Sequence, residues 1–584
     1  MTDEAAQTSG GQDQLRVSVV VSGFLVPAWI VLLLEALVDS NHTELVTVTV
    51  AAGGEAIGAS LGRGLAGLAW IDEHLFARGA ALLKPADLRS WSKRRGVPVS
   101  EDGLSARSGP ARSSSGSAAQ VADVVVDVSG QAPSRRAHDR PGQAVWWLAG
   151  VPTRTGWPGA TLPGVVTSVT RGLPTLVFEL LTFVRGQSEP VVRARGVCPT
   201  HGCSPLMTAA YLAASAQQLI VEELGKAQRC AAVPAPTTAS PRKAQPGAQP
   251  GLVESLSSER PQSSEPSPAV AASCGASIGL GYLTRLAAWS VRRLGWVQQW
   301  YLLVGDDASQ EPVVDPACLR SIMPPKGHFW ADPHLTTDKD ATHVFFEDFE
   351  YEDHKGRISV LTLDAAGRPG PVRRVLETES HLSHPFVFRH DDRLFMIPES
   401  VAAETVDLYE CIDVPHMWVF RRSVLTGVRL VDASLVEWQG LWWMFAGLRH
   451  PHGLRGADVL VLYMAEDPVA GDWREHPASP LMADVTGSRP GGAPFVCGGR
   501  LYRPAQDGSH DYGWGIAINE VVSLTPTHYA ERRVATIAFA SGTGVCGTHT
   551  LNRSGGKVVM DAWRWVRRGP STQGRIWPRA HRAE

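Results

Sequence analysis

A repeat with a period of about fifty residues runs through the C-terminal half of the chain and restricts the folds open to it. Each unit predicts a strand that opens with a polar residue, then a tight turn, then a second strand rich in aromatic residues. The five units read WADPHL with HVFFEDF, SHPFVF with RLFMIPES, VDASLV with LWWMFAG, SRPGGAPFV with RLYRPAQD, and GTHTLN with KVVMDAW. Five units of blade length predict a five-bladed β-propeller in which the first strand of each blade lines a central funnel.

The polar residues that open the first strands predict where a functional site would form. If each first strand begins at the funnel mouth, these side chains converge from five blades on one pocket, joined by carboxylates from second strands. Convergent titratable groups in a concave site are typical of a catalytic or binding site. The leading residues are Asp332, His384, Asp432, Arg489 and His549, and the second strands supply Glu347 and Glu399.

The N-terminal half has the pattern of an α/β domain. Residues 16–21 predict a buried strand, and after a glycine-containing turn a helix is predicted to begin near Pro27, followed by a second strand in ELVTVTVAAGG. VADVVVDVSG predicts a further buried strand, and LMTAAYLAASAQQLIVEELGKA predicts a long amphipathic helix that closes the domain. The first turn is not GxGxxG, so this Rossmann-like unit implies no nucleotide and we expect no cofactor.

Two segments of biased composition divide the chain. Residues 103–119 are rich in Ser and Gly, and residues 231–276 are rich in Pro and Ser, so neither can bury enough apolar surface to order itself. The predicted organisation is a tail at 1–14, the α/β domain at 15–228 with a flexible insertion at 103–119, a disordered linker at 229–277, the propeller at 278–570 and a second tail at 571–584.

Composition excludes several classes of partner and location. The chain has fifty-five basic and fifty-eight acidic residues, so it lacks the excess of positive charge that binding to nucleic acid phosphates requires. The apolar run VSVVVSGFLVPAWIVLLL is interrupted by Pro27 and lacks the flanks of a signal peptide, so we expect no transmembrane segment. The eight cysteines form no CxxC pair, and CPTHGC has no second pair, so we predict no metal site and a reducing, cytoplasmic location.

The N-terminal half resembles a formyltransferase-type α/β domain, as found in a degenerate form ahead of propellers in some bacterial proteins. The resemblance covers residues 15–228 and rests on VSGFLVPAWIVLLLEAL, VADVVVDVSG and FELLTFVRGQSEPVVRARGV. The family's active-site Asn, its His-Pro-Ser-Leu-Leu-Pro stretch and its distal Asp have no match, because the equivalent region reads WWLAGVPTRTGWPG. The resemblance therefore implies the fold without its catalysis.

Residues 320–566 resemble the N-terminal propeller domain of the glucosamine inositolphosphorylceramide transferases and its bacterial relatives. The matching stretches include KGHFWADPHL, HLSHPFVF, FMIPES, DASLVEWQGLWWMFAG, SRPGG, GRLYRPAQD, YGWGI and GTHTLN. The architecture is also similar, more distantly, to the five-bladed glycoside hydrolases of families 43, 32 and 68. Carried over from those hydrolases, the resemblance implies Asp332 as base or nucleophile, Glu399 as proton donor and Asp432 as the third carboxylate.

The resemblance implies a carbohydrate or glycoconjugate substrate and gives roles to further residues. Arg is suited to bidentate recognition of an oxyanion, and aromatic rings stack on sugar faces, although the adjacent Trp442 and Trp443 must place their rings on opposite faces of a strand. The predicted substrate-binding residues are Trp330, Glu347, His384, Arg489, Arg503, Gln506 and His549.

Alternative functions stay open at the level of sequence. This chain has His384 where those hydrolases usually carry a second-blade Asp, and the related transferases carry a separate glycosyltransferase domain, so we expect a glycosyltransferase partner. The propeller is then either an enzyme that cleaves or transfers a glycosyl unit, or a binding module that acts beside that partner. In a purely structural interpretation, Asp332 before Pro333 caps a turn, Glu399 pins a blade and Arg489 is its ion-pair partner. Formyl transfer by the N-terminal half is the third class considered.

Overall fold

The computed structural model describes residues 14–51, 81–100, 122–129, 144–149, 171–183, 190–231, 283–307 and 311–569, apart from short internal gaps and a few isolated residues elsewhere. The segments predicted to be flexible at 103–119 and 571–584 lie outside the described residues, as do most of 1–14 and 229–277. Among the described residues, no helix is both long and apolar enough to cross a membrane.

Nine strands and three helices of the N-terminal half have bounds that the structure describes. The strands are β1 (Leu15–Val21), β2 (Leu25–Pro27), β3 (Thr43–Val50), β4 (Pro85–Asp87), β5 (Val99–Ser100), β6 (Val124–Asp127), β7 (Ala144–Ala149), β8 (Thr175–Thr182) and β9 (Val191–Pro199). The helices are α1 (Ala28–Val38), α2 (Leu88–Arg95) and α3 (Pro205–Ala231).

A largely parallel sheet forms the centre of this half. The strands β5, β3, β1, β6 and β7 lie in that order and pair in parallel, and the antiparallel pair β8 and β9 extends the sheet. The valines of β1 are buried because central parallel strands are covered on both faces. Helix α1 begins directly after Pro27 and buries Trp29, Ile30 and Leu33. A parallel sheet with helices is therefore confirmed, and the finer assignment to a formyltransferase type stays a prediction.

The C-terminal half consists of strands. They are β10 (Trp296–Asp306), β11 (Arg320–Ile322), β12 (His328–Asp338), β13 (Ala341–Glu350), β14 (Lys355–Leu363), β15 (Arg373–Leu376), β16 (Ser383–His390), β17 (Arg393–Glu399), β18 (Thr405–Asp413), β19 (Met417–Thr426), β20 (Leu430–Trp438), β21 (Leu441–Leu448), β22 (Val459–Ala465), β23 (Arg474–Glu475), β24 (Ala483–Asp484), β25 (Phe495–Cys497), β26 (Arg500–Asp507), β27 (Gly515–Thr525), β28 (His528–Ala538), β29 (Leu551–Ser554) and β30 (Lys557–Arg567). Two short 3₁₀ helices, Pro316–Cys318 and Val401–Ala403, lie between strands, and a further helix at residues 283–292 precedes β10.

These strands form the predicted five-bladed β-propeller. Blades one to four are the antiparallel sheets β12 to β15, β16 to β19, β20 to β23 and β25 to β28. The fifth blade has the order β11, β10, β30, β29, so its two outer strands precede the first blade and its two inner strands end the propeller. The ring closes where β10 pairs with β30 from Trp296 opposite Arg567 to Asp306 opposite Lys557.

A short propeller strand joins the two halves of the protein. Strand β24, between blades three and four, pairs in parallel with β9, and the backbone N–H of Val485 donates to Val197 O at 3.0 Å. The buried core is continuous from α1 and α3 to blades two and three. Because Arg489 follows β24 by only a few residues, the N-terminal sheet anchors the segment that delivers this arginine to the propeller axis.

Candidate functional site at the propeller axis

Blades one, two and three share one backbone feature at the start of their first strands. Asp332, His384 and Asp432 have φ angles of 51°, 41° and 54°, which L-residues rarely adopt. Each lies in a β-bulge, because the register with the second strand shifts there in all three blades. β-Bulges change the direction of side chains, and strained backbone conformations concentrate at functional sites. The bulge repeated in three blades therefore marks these three residues as candidates for a functional site.

Asp332 links blades one, two and five. Its Oδ2 accepts a hydrogen bond from the backbone N–H of His384 at 3.2 Å, and its Oδ1 accepts one from Thr550 Oγ1 at 2.9 Å. Its own N–H donates to Asp561 Oδ2 at 3.1 Å. Both carboxylate oxygens of this buried residue are therefore engaged by protein donors.

Asp432 is the most strongly paired carboxylate of the cluster. Its Oδ2 accepts hydrogen bonds from Arg489 Nε at 2.7 Å and Gln506 Nε2 at 2.9 Å. Burial alone would raise the pKa of Asp432, but the positive charges around it, Arg489 foremost, bring it below its ordinary value. Asp432 is consequently ionised at neutral pH.

The pKa of Glu399 is shifted in the opposite direction from that of Asp432. Burial, reinforced by the charge of Asp432, raises the pKa of Glu399 to about 7, against the opposing effect of Arg449 and Arg489. Its Oε2 accepts the backbone N–H of Asp432 at 3.1 Å, and its side chain is partly exposed, whereas Asp332, His384 and Asp432 are buried. A carboxyl group that titrates near neutral pH and can be reached by solvent is suited to general acid–base chemistry.

The second-strand residue that lies opposite the start of each bulge differs among the first three blades. Glu347 lies opposite Ala331 in blade one, Glu399 opposite Ser383 in blade two, and Gly447 opposite Val431 in blade three. Burial raises the pKa of Glu347 well above its ordinary value, and the charges of Asp332 and Glu399 add to this shift. Two neighbouring carboxyl groups of the cluster thus favour the protonated form.

His549 and Asp561 complete the cluster in blade five. His549 Nδ1 lies 2.5 Å from Asp561 Oδ2, and its Nε2 lies 3.5 Å from Asp332 Oδ1. Burial would lower the pKa of His549, but the charges of Asp561 and Asp332 raise it to about 9. The ring stacks on Trp300 with centroids 4.3 Å apart. His549 is therefore an imidazolium held between two carboxylates.

The same three residues are close enough to be considered for a metal. The candidate ligand atoms of Asp332, His549 and Asp561 all lie within 4.8 Å of one another. Asp561 Oδ1, however, accepts the backbone N–H groups of His549 and Thr550 at 2.8 and 3.1 Å, and its Oδ2 is bonded to the His549 ring. Because the protein's own donors already satisfy these atoms, we assign no metal to them, and the structure contains no other such group among its described residues.

Two predicted substrate-binding residues lie outside the cluster. Trp330 is buried in the core between blades five and one, where its indole N–H donates to Asp348 Oδ1 at 3.0 Å. Arg503 is fully buried, donates to Glu531 and to Gly487 O, and lies over the ring of Phe445. Both side chains are thus engaged in buried contacts within the propeller, and contact of either residue with substrate stays a prediction.

The other predicted site residues lie close together in the structure. Asp332, His384, Asp432, Arg489, Gln506 and His549 form one hydrogen-bonded and ion-paired network, to which Glu399 and Glu347 adjoin. His384 is completely buried, and its contact with substrate stays a prediction. Trp442 and Trp443 occupy different core clusters, as their alternation along the strand requires.

The sequence interpretation missed Asp561, Thr550, Arg449 and Asp458. Asp561 lies opposite Thr550 on the second strand of blade five, one residue beyond the Leu551 to Met560 pairing. The alignment of KVVMDAW with HVFFEDF and FMIPES could have identified it. Asp458 lies 3.8 Å from Arg489 and 3.9 Å from Arg449, and no repeat pattern marks either Asp458 or Arg449.

The fold and the cluster define a class, a five-bladed β-propeller with a buried network of carboxylates, histidines and an arginine at its axis. Residues 301–547 match the family model described as glucosamine inositolphosphorylceramide transferase 1, N-terminal. A protein of that name from Oryza sativa subsp. japonica is 33% identical over 232 residues, covering 38% of this chain and 31% of the relative. A protein of the same name from Arabidopsis thaliana is 28% identical over 239 residues, which are 40% of this chain and 31% of the relative. The chain thus spans about a third of the length of the curated relatives it matches.

Solved structures of glycoside hydrolases are also similar to parts of the chain. A thermostable family-43 glycoside hydrolase has 11% identity and a TM-score of 0.28, covering 36% of this chain and 77% of that one. A GH32 β-fructofuranosidase from Bombyx mori has 14% identity and a TM-score of 0.31, and the match covers 39% of this chain and 54% of the fructofuranosidase.

Proposed function

We propose that this protein cleaves or transfers a glycosyl unit at the axial cluster, with Glu399 as the proton donor and Asp332 as the base or nucleophile. The observation that carries the proton-donor role is the contrast between two adjacent carboxyl groups, Glu399 with a pKa of about 7 and Asp432 with a lowered pKa. Asp332 is given the second role by the resemblance to the five-bladed hydrolases. Breaking or forming a glycosidic bond requires one carboxyl group that is protonated and another that is ionised at the same pH. The name of the rice and Arabidopsis relatives, which describes a transferase, supports group transfer.

In this mechanism Glu399 donates its proton to the oxygen of the leaving group. The backbone N–H of Asp432 on Oε2 then stabilises the carboxylate that remains. Asp432, held by Arg489 and Gln506, keeps a fixed negative charge beside Glu399 and so keeps the pKa of Glu399 high before the transfer. Asp332 supplies the second carboxylate, to attack the anomeric carbon or to take a proton from the acceptor.

A second candidate function is glycan or sugar-nucleotide binding without turnover. One observation favours it: both oxygens of Asp332 already accept protein hydrogen bonds, and its side chain is only 6% exposed. A carboxylate in this state serves as a structural pin between blades, and Glu399 with the partly exposed Arg489 would then form the binding surface.

Paired measurements of turnover and binding separate the two functions. The full chain is assayed against a panel of aryl glycosides and sugar nucleotides, each with and without acceptor alcohols, alongside Asp332→Asn and Glu399→Gln. Turnover that Glu399→Gln and Asp332→Asn both reduce at least 100-fold, with ligand affinity retained, supports the enzyme. Binding without turnover across the panel supports the binding module. Glu437→Gln is the matched control, because Glu437 is an exposed carboxylate on the same strand as Asp432.

Three further assignments belong to this proposal. We infer a formyltransferase-type fold without formyl transfer for the N-terminal half, supported by its parallel sheet, and detection of a folate-dependent formylated product would overturn it. A cytoplasmic location is supported by the free thiols of Cys198, Cys318, Cys411 and Cys546, and cell fractionation tests it. A separate glycosyltransferase partner follows from the resemblance alone, and co-purification from native cells tests that assignment.

A further inference from the structure

The buried imidazole of His384 has one nitrogen whose role is fixed by its neighbours. His384 Nε2 lies 3.1 Å from Ser434 Oγ, and the Ser434 hydroxyl donates its hydrogen to the backbone carbonyl of Asp432 at 3.0 Å. A carbonyl oxygen can only accept, and a serine hydroxyl has only one hydrogen to give. With the hydroxyl hydrogen directed at this carbonyl, Ser434 accepts from His384, and on this basis the ring hydrogen of the neutral imidazole is assigned to Nε2.

The other ring nitrogen is left without a hydrogen-bond partner. His384 Nδ1 is buried and makes no hydrogen bond, and the nearest carboxylate atom is Asp432 Oδ1 at 3.7 Å. With the hydrogen on Nε2, Nδ1 presents a bare lone pair toward a negatively charged oxygen. Buried polar atoms are almost always paired in folded proteins, so an unpaired acceptor facing an anion requires an explanation.

We propose that His384 Nδ1 and Asp432 Oδ1 form a proton-binding site, and that His384 is a positioning residue whose protonation sets how Asp432 is held. The step is uptake of a proton from solvent onto the Nδ1 lone pair. The imidazole becomes an imidazolium whose Nδ1–H donates to Asp432 Oδ1, and no other bond is made or broken. The protonated ring then shares Asp432 with Arg489, which holds the other carboxylate oxygen.

The charged groups around His384 come from four blades. Asp432 from blade three and Asp332 from blade one favour the imidazolium, whereas His549 from blade five and Arg489, which leads into blade four, oppose it. Burial is the largest influence and keeps the pKa of His384 below 6.5, so the ring is neutral at neutral pH. The site is therefore filled only in acid.

The inference rests on the proposed function in one respect, the use that the protein makes of this proton. Asp432 lies between the two titrating groups, since its N–H contacts Glu399 and its carboxylate faces His384. A positive charge on His384 weakens the negative field that keeps Glu399 protonated. We therefore expect His384 to set the acid limit of activity or ligand binding.

Nitrogen-15 NMR of the full chain with labelled histidine tests the site without any substrate. The His384 signals are assigned by their loss in His384→Gln. At pH 8 we expect a protonated Nε2 and a bare Nδ1, and on acidification Nδ1 should become protonated in one step. In Asp432→Asn the midpoint should fall by at least one pH unit, a tenfold loss of proton affinity. A protonated Nδ1 at pH 8, or an unchanged midpoint in Asp432→Asn, would overturn the proposal.

Two further comparisons keep the test decisive if Asp432→Asn does not fold. Arg489→Gln should move the midpoint the opposite way, to higher pH, because Arg489 opposes the imidazolium. The internal control is His334, whose ring lies 4.7 Å from that of His384 and whose Nε2 is also unpaired, but whose pKa is shifted by burial and by His384 rather than by a carboxylate. Its signals should respond to acidification but not directly to Asp432→Asn.

A functional comparison then tests the positioning role. His384→Asn and His384→Gln both remove the group that titrates. The activity or binding that remains in either variant should therefore lack the acid limit that His384 sets in the wild type. If the NMR titration behaves as expected but no glycosyl chemistry is found, the proton site stands and the proposed function fails. If the acid limit is the same in His384→Asn and wild type, the positioning role is excluded.

Discussion

The backbone N–H of Asp432 donates to the side chain of Glu399 across 3.1 Å, while the carboxylate of the same aspartate raises the pKa of that glutamate. One residue thus acts on Glu399 in two ways, as a hydrogen-bond donor to its ionised form and as a negative charge that disfavours that form. The bulge at Asp432 makes this geometry possible, because it directs N–H and carboxylate toward the axis together. Asp432 is therefore the organising residue of the cluster.

The first prediction concerns the pH dependence of any glycosyl turnover. The acid form of Glu399 is lost as pH rises through about 7, so turnover should fall about tenfold per pH unit above that value. Initial rates between pH 6 and 9 with a fluorogenic glycoside measure this fall in turnover. Glu437→Gln should leave the profile unchanged, and a rate that stays flat up to pH 9 would exclude Glu399 as the acid.

The second prediction concerns Arg489 and the stability of the fold. Arg489→Met removes the cation from the buried Asp432 carboxylate and should lower the free energy of unfolding by about 3–5 kcal/mol at pH 7. The deficit should shrink at pH 5 and below, because the unpaired Asp432 then takes up a proton. Urea denaturation of the full chain at both pH values measures it.

The matched control for Arg489 is Arg500→Met. Arg500 also pairs with a carboxylate of the propeller, Glu520, but its side chain is 61% exposed, so the expected loss is below about 1 kcal/mol. Equal losses in the two variants would contradict a special role for the axial pair.

Much of the propeller was predictable from sequence because each blade is built from local hairpins. Four of the five blades are continuous in the chain, so their repeat is visible in sequence. The closing strand Trp296–Asp306 was not predicted, because it pairs with β30 near the other end of the propeller and no local pattern encodes that contact. Non-local pairing is set by the closure of the ring rather than by the residues of the strand alone.

The site was predictable to the extent that it follows the repeat. Asp332, His384 and Asp432 occupy the same position in three blades, so one periodicity identified them together. The buried contacts of Trp330 and Arg503 were not predictable, because they are made with residues of other strands that no local pattern marks. The burial of His384 likewise depends on neighbours from other blades.

The third prediction concerns His549 and alkaline stability. A histidine whose pKa is raised from 6.5 to about 9 contributes stability that is fully present below 6.5 and is lost as pH rises through about 9. A shift of this size corresponds to about 3 kcal/mol. The free energy of unfolding of wild type minus that of His549→Asn should therefore fall between pH 6.5 and 9.5. The exposed His528→Asn is the control, and a difference that is constant with pH would contradict the prediction.

The fourth prediction concerns Gly447, the second-strand residue of blade three where blades one and two carry Glu347 and Glu399. A Cβ atom there would lie 2.8 Å from Val431 Cγ2 and 3.5 Å from Arg489 Cγ, so the missing side chain leaves room for the arginine. Gly447→Ala should lower the free energy of unfolding by about 1–3 kcal/mol, because Val431 must move. It should also loosen the contact between Arg489 and Asp432.

The readout for Gly447→Ala combines stability with the titration of His384. If Arg489 is displaced from Asp432, its opposition to the imidazolium weakens and the His384 midpoint should move to higher pH. Gly295→Ala is the matched control, because no heavy atom lies within 4 Å of the Cβ position at Gly295. A variant that loses stability while the His384 midpoint stays at its wild-type value would show that Gly447 serves packing against Val431 and does not position Arg489.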